Sequence, residues 1–139
     1  MASTHLTNGR ILDEQFGAVA PTVPATYYFA LSTTTPVIGG TNFTEPTTVA
    51  TAYARVAVDN DKVTWSDAAS SVVTNDIEIA FPESTLSWGT VTYVGIYDAL
   101  TVGTGNLLYF GLLSPSRSVQ TGTVIYFGIG DITASVVNA

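Results

Sequence analysis

Short apolar runs with a spacing of two residues recur along this chain from residue 25 onward, and this spacing is typical of β-strands. In residues 26–32, the side chains of Tyr27, Phe29 and Leu31 fall on one face of a strand. Residues 76–81 alternate acidic side chains with isoleucine and phenylalanine, as a strand with one solvent-facing side does. Because Gly, Pro, Asn, Asp and Ser separate about eight such runs, the pattern predicts an all-β antiparallel sandwich of the jelly-roll type.

The most regular stretch is FPESTLSWGTVTYVGIYDA, residues 81–99. It predicts two strands joined by a turn at TLSWG, with Trp88 closing one end of the sandwich. Strict alternation places Val91 on the opposite face from Val94 and Ile96. Its Ser and Thr residues supply hydroxyl groups without a neighbouring base in the sequence to activate one, so the stretch is interpreted as a wall of the fold.

Later segments continue the same pattern. Residues 106–113 and 123–130 are apolar on both faces of a strand, and SPSRSVQTG, residues 114–122, predicts the turn between them. The one long excursion is the loop at residues 32–51, and long loops in compact domains are usually functional or mobile.

The N-terminal residues have a different pattern, which favours a short helix from about Gly9 to Phe16. Pro21 and Pro24 then favour an extended segment, so residues 1–24 are predicted to form an arm and residues 25–139 the β-sandwich domain. We expect the arm to dock on a neighbouring subunit or on another protein surface through one apolar face, formed by Leu6, Ile11, Leu12 and Phe16.

Charge is scarce and acidic. Four basic residues stand against eleven acidic ones, for a net charge of -7, which disfavours a nucleic-acid partner. Residues 15–44 carry no charged side chain, and only Arg117 and Asp131 follow Asp98. A surface this poor in charge predicts a homo-oligomer whose partner subunits cover part of it. With no cysteine, no basic leader and no long apolar run, the sequence predicts a soluble, unprocessed protein without a membrane partner.

Candidate chemistry is sparse. His5 is the single histidine, which leaves no partner for a serine–histidine triad or a multi-histidine metal site. The near-pair Asp59 and Asp61 fits a turn better than a calcium loop, and Asp76 with Glu78 fits a solvated strand face. The sequence therefore predicts no enzymatic activity, no cofactor and no metal. Two tryptophans and seven tyrosines are suited to a carbohydrate groove, although packing is their commoner role in an all-β core.

Several motifs together resemble a family of small structural proteins of tailed bacteriophages. The strongest are YAR at residues 53–55, SWGTVT at 87–92 and GNLLYFG at 105–111, within a resemblance that runs from about Leu6 to Val137. Members are described as capsid decoration (cement) proteins or as tail-fibre proteins. The resemblance implies a β-sandwich that assembles on the virion, often as a trimer, without enzymatic activity. One departure is the threonine-rich TTVATA before YAR, where such proteins commonly have glycine.

These features predict a decoration protein that binds the major capsid protein on the outside of an assembled capsid and stabilises the shell. It would be made in the host cytoplasm and assemble as a homotrimer. The alternative is a tail-fibre or baseplate component that binds host surface glycans through its aromatic residues. A third hypothesis, kept only for completeness, is a small hydrolase that acts on cell-wall polymer.

Overall fold

The computed structural model describes residues 1–17 and 20–135. Within this part of the chain lie nine β-strands and one α-helix. The elements are β1 (Ala2–Ser3), α1 (His5–Phe16), β2 (Thr26–Ser32), β3 (Val56–Asp59), β4 (Val72–Thr74), β5 (Ile79–Ala80), β6 (Gly89–Tyr97), β7 (Leu107–Val119), β8 (Tyr126–Phe127) and β9 (Thr133–Ser135). No described helix is both long and apolar enough to cross a lipid bilayer.

One large antiparallel sheet organises the molecule. Its five strands lie in the order β1-β7-β6-β2-β3, so β6 is the central strand. β6 pairs with β7 from Gly89 opposite Val119 to Tyr97 opposite Leu107. Two small antiparallel sheets, β4-β9 and β5-β8, complete the sandwich. The predicted all-β antiparallel sandwich with a short N-terminal helix is confirmed.

Both faces of the large sheet are covered. On one face, Phe29, Leu31 and Ile96 pack in the main core against residues of the two small sheets, such as Ile79. On the other face a smaller core contains Ala30, Tyr97 and Leu107, with Phe43 packed against it. Phe43 belongs to the long connection between β2 and β3, so this predicted loop covers the second face.

The predicted faces of residues 91–96 are wrong at one position. Val91 lies in the main core together with Val94 and Ile96, instead of opposite them. The reason is an irregularity in the pairing of β6 with β7 between Val91 and Tyr93, where Val91 pairs with Arg117 but Tyr93 pairs with Leu112. β7 advances by five residues between these two pairs while β6 advances by two, so β7 carries three extra residues there, and the regular alternation that period-two counting assumes is interrupted.

Three further expectations about strands need correction. Residues 81–88 were expected to form a strand paired with β6, but they are irregular. The preceding strand, β5, ends at Ala80 and pairs with β8. Ile77, which was expected to point into the core, is exposed at a bend. The first buried isoleucine of this segment is Ile79. The predicted turn at 114–122 starts too early, since β7 continues to Val119 through the bulged segment.

Candidate functional site

Two buried threonine hydroxyls attach the N-terminal segment to the sandwich. The Thr4 Oγ1 hydroxyl donates to the carbonyl of Leu107, and the Thr7 hydroxyl donates to that of Leu108, each at 2.8 Å. β1 adds an edge strand beside β7. Thr7 is the one buried residue of α1, so hydrogen bonds rather than apolar side chains hold the helix start to the sheet. The division of the chain at residue 24 into an arm and a domain stays a prediction.

The four apolar residues predicted to dock the arm do not form one face. An α-helix turns by about 100° per residue, so Thr7 and Ile11 share one side while Leu12 and Phe16 share another. Ile11 is half-buried on the Thr7 side, whereas Leu12 is 58% and Phe16 87% exposed. Leu6 is also exposed, at 41%. Their role in an interface stays a prediction, and only Leu12 and Phe16, the exposed helix pair, lie side by side.

A buried ion pair, which the sequence analysis missed, holds the long connection against the second core. The Arg55 Nε donates to Glu45 Oε1 at 2.9 Å, and its Nη2 donates to Oε2 at 2.7 Å. Arg55 Nη1 donates to the backbone carbonyls of Ala99 and Thr104 at 2.7 and 2.9 Å. The guanidinium also lies over the Tyr97 ring, 3.8 Å from its centroid. Because all three of its nitrogens have protein partners, the Arg55 guanidinium is suited to holding the β2–β3 connection in place and not to binding a substrate.

Two tyrosines beside this pair have perturbed ionisation. Burial, together with the negative charge of Glu45, raises the pKa of Tyr97 to about 12. Burial also raises the pKa of Tyr53, whose hydroxyl donates to Glu45 Oε1 at 2.9 Å. One sequence signal pointed to the pair: Glu45 and Arg55 are the two charged residues in the otherwise uncharged stretch from residue 15 to residue 58.

The candidate chemical groups lie apart. His5 is exposed at the start of α1, and Asp76 and Glu78 are exposed near a bend. Asp61 instead stabilises a turn, accepting the amides of Val63 and Thr64 at 3.0 and 2.9 Å. The hydrogen bond from Thr64 lowers the pKa of Asp61. Among residues 1–17 and 20–135, no three metal-binding side chains come together.

The two tryptophans differ in their surroundings. Trp88 is buried, donates its indole N–H to the Thr51 carbonyl at 2.8 Å and packs edge-on against Tyr53, with ring centroids 5.2 Å apart. It therefore packs in the main core, and its predicted position at one end of the sandwich stays a prediction. Trp65 stacks on Phe29 with one ring face, at 6.1 Å, and reaches the wall of a cavity.

This aromatic cavity has a volume of about 300 Å³ and lies beside the turn that follows β3. Its lining includes the aromatic residues Tyr27, Trp65 and Tyr109 and the polar residues Asn60, Asp61 and Lys62. The Tyr27 ring stands edge-on to Trp65, with centroids 6.5 Å apart. Burial raises the pKa of Tyr27 and of Tyr109, so both hydroxyls stay protonated at neutral pH.

Tyr109 also lines two neighbouring depressions. One, of about 190 Å³, is bordered by Ile11 and Pro21, and the other, of about 240 Å³, by Ala68 and Ser71. Tyr109 thus lines all three depressions.

Comparison with known proteins gives two findings. No curated protein matches this sequence. A family model described as "Podophage GP4 fiber I protein gp80" matches residues 1–135. Because this match covers nearly the whole chain, including the helix, the buried ion pair and the aromatic cavity, the chain belongs to this family of phage structural proteins.

Proposed function

We propose that this chain is a structural subunit of a phage fibre that assembles with copies of itself. The observation that carries the proposal is the family match over residues 1–135, because the description of that family names a fibre protein. The all-β sandwich fits this role, because antiparallel sheets give a rigid unit whose loops and N-terminal helix remain available for contacts.

The exposed surface supports self-association. Large apolar side chains are exposed on the helix and on separate loops, with Phe16 at 87%, Val49 at 77% and Ile129 at 70%. Large exposed apolar side chains are stabilised when a partner covers them, and a homotrimer is the assembly we propose. In such an assembly the exposed helix pair would face a second copy.

A non-enzymatic role is part of the proposal. Within the described residues, the one histidine stands alone on the surface and Arg55 is engaged by Glu45 and two carbonyls. General acid–base or nucleophilic catalysis needs a base within hydrogen-bond reach of a reacting group, and these positions do not provide that arrangement.

A second candidate is a decoration protein on the capsid exterior that binds the major capsid protein. It is favoured by the uncharged segment at residues 15–44, where Val23, Val37 and Ile38 are exposed. A shell surface would cover these side chains as well as a second copy would.

Localisation on the particle tests the proposal. Cryo-electron microscopy of intact virions, with antibody fragments raised against this chain, is expected to place the label on fibres that project from the particle. A label distributed over the capsid lattice would support decoration and contradict the fibre role. Virions lacking this chain should keep heat-stable capsids if the fibre role is correct.

A further inference from the structure

We propose that the aromatic cavity formed around Tyr27, Trp65 and Tyr109 is a binding site for a neutral saccharide. The inference deepens the proposed fibre function and rests on it for its biological role, because a fibre subunit is placed to meet molecules outside the particle. Binding itself is a property of the isolated chain and can be measured without the virion.

The cavity walls suit a sugar ring. Pyranose rings present an apolar face of C–H groups, and tyrosine and tryptophan rings offer large, rigid apolar surface next to a polar group. A volume of about 300 Å³ is at the lower end of ligand-binding cavities, which indicates space for about one ring. Since two further depressions meet at Tyr109, the surface extends in directions that additional sugar units would follow.

The polar side supplies the directional contacts that hydroxyl groups need. Asp61 uses its Oδ1 atom for the turn amides, which leaves its other oxygen to accept from a ligand. Lys62 donates to the Ser66 carbonyl at 3.2 Å and pairs with Asp67 at 3.0 Å, and an ammonium group has three donors. The protonated tyrosine hydroxyls both donate and accept, as do sugar hydroxyls.

Charge argues for a neutral ligand. The chain has a net charge of -7, and the one lysine beside the cavity is already paired with Asp67. An anionic ligand would therefore meet a repulsive field. A purely apolar ligand would cover the polar groups of Asn60, Asp61 and Lys62 without replacing their contacts with water, which costs free energy.

An array of neutral oligosaccharides, probed with the full-length protein, provides the test. Binding to at least one glycan is expected, and titration with that glycan should change the fluorescence of Trp65 in a Trp88→Phe background. Tyr109→Ala should weaken the affinity about tenfold or more, since it removes the ring shared by all three depressions. Tyr126→Ala is the matched control, because Tyr126 is 62% exposed and lies outside this cavity.

Lys62→Ala provides a second variant that does not depend on cavity packing, because the Lys62 side chain is 70% exposed. It should weaken binding with an unchanged circular dichroism spectrum. The inference is overturned by three results: no glycan bound, binding of toluene without any saccharide, or saccharide binding that neither Tyr109→Ala nor Lys62→Ala weakens. None of these results bears on whether the chain lies in a fibre or on the capsid, which the labelling of virions tests. Failure of this inference is therefore distinguishable from failure of the proposed function.

Discussion

Arg55 and Glu45 form a two-pronged ion pair, with Nε to Oε1 at 2.9 Å and Nη2 to Oε2 at 2.7 Å, and their side chains are 0% and 6% exposed. Burial of two charges is tolerated only when geometry and additional hydrogen bonds offset their desolvation. Here the carbonyls of Ala99 and Thr104 accept hydrogen bonds from Nη1, the guanidinium nitrogen that does not contact Glu45. The pair thereby connects the long β2–β3 connection to the β6–β7 turn.

Glu45→Gln is expected to lower the free energy of unfolding by about 3–5 kcal/mol, because it leaves the buried Arg55 cation without its counter-charge. Urea unfolding followed by circular dichroism measures this loss. Lys62→Met is the matched control, since Lys62 and Asp67 are 70% and 95% exposed, and exposed pairs contribute about 0–1 kcal/mol. Equal effects of the two substitutions would contradict a structural role for the buried pair.

The raised pKa of Tyr97, about 12, predicts a loss of stability at alkaline pH. A tyrosine whose folded pKa exceeds the unfolded value of about 10 contributes stability that is fully present below pH 10 and is lost as pH rises through the folded value. Unfolding free energies measured at pH 9, 10 and 11 should therefore decrease. Tyr97→Phe should flatten this dependence only in part, because Tyr27, Tyr53 and Tyr109 also have raised pKa values. An unchanged slope in the variant would contradict the assignment to Tyr97.

Gly95→Ala in the central strand is expected to destabilise the fold by about 1–3 kcal/mol through overpacking. A Cβ atom at Gly95 would lie 2.5 Å from the Phe43 ring and 2.7 Å from the Leu107 side chain. Thermal unfolding of the variant should occur at lower temperature. Gly9→Ala is the matched control: a Cβ there meets nothing within 4 Å, and alanine in a helix is favoured by about 1 kcal/mol. Destabilisation by Gly9→Ala to the same degree would argue against a packing cause.

The double substitution of Leu12→Ser and Phe16→Ser is expected to weaken self-association without changing the stability of the isolated subunit by more than about 0.5 kcal/mol. Both side chains are exposed, so they stabilise the chain only where a second copy covers them. Sedimentation velocity at micromolar concentration measures the oligomer. Val49→Ser, which removes an apolar side chain that is 77% exposed in the long connection, is the control. A purely monomeric unsubstituted protein, or an unaltered oligomer in the double variant, would contradict the proposed helix contact.

The sequence by itself determined the strand content, the N-terminal helix and the burial of Phe29, Leu31 and Trp88. These features follow from local periodicity, since alternating apolar residues bury one side of a strand wherever that strand lies. Scarcity of charge also predicts that partner subunits cover part of the surface, and this stays a prediction.

Only the tertiary structure decided features that depend on contacts between distant segments. The burial of Val91 in the main core accompanies an irregular register between β6 and β7, and the docking of α1 depends on carbonyls about a hundred residues away from Thr7. The aromatic cavity joins Tyr27, Trp65 and Tyr109, which lie on separate elements. Periodicity specifies which side of an element is buried, but register and long-range packing determine which residues meet, because one inserted residue exchanges the two faces of a strand.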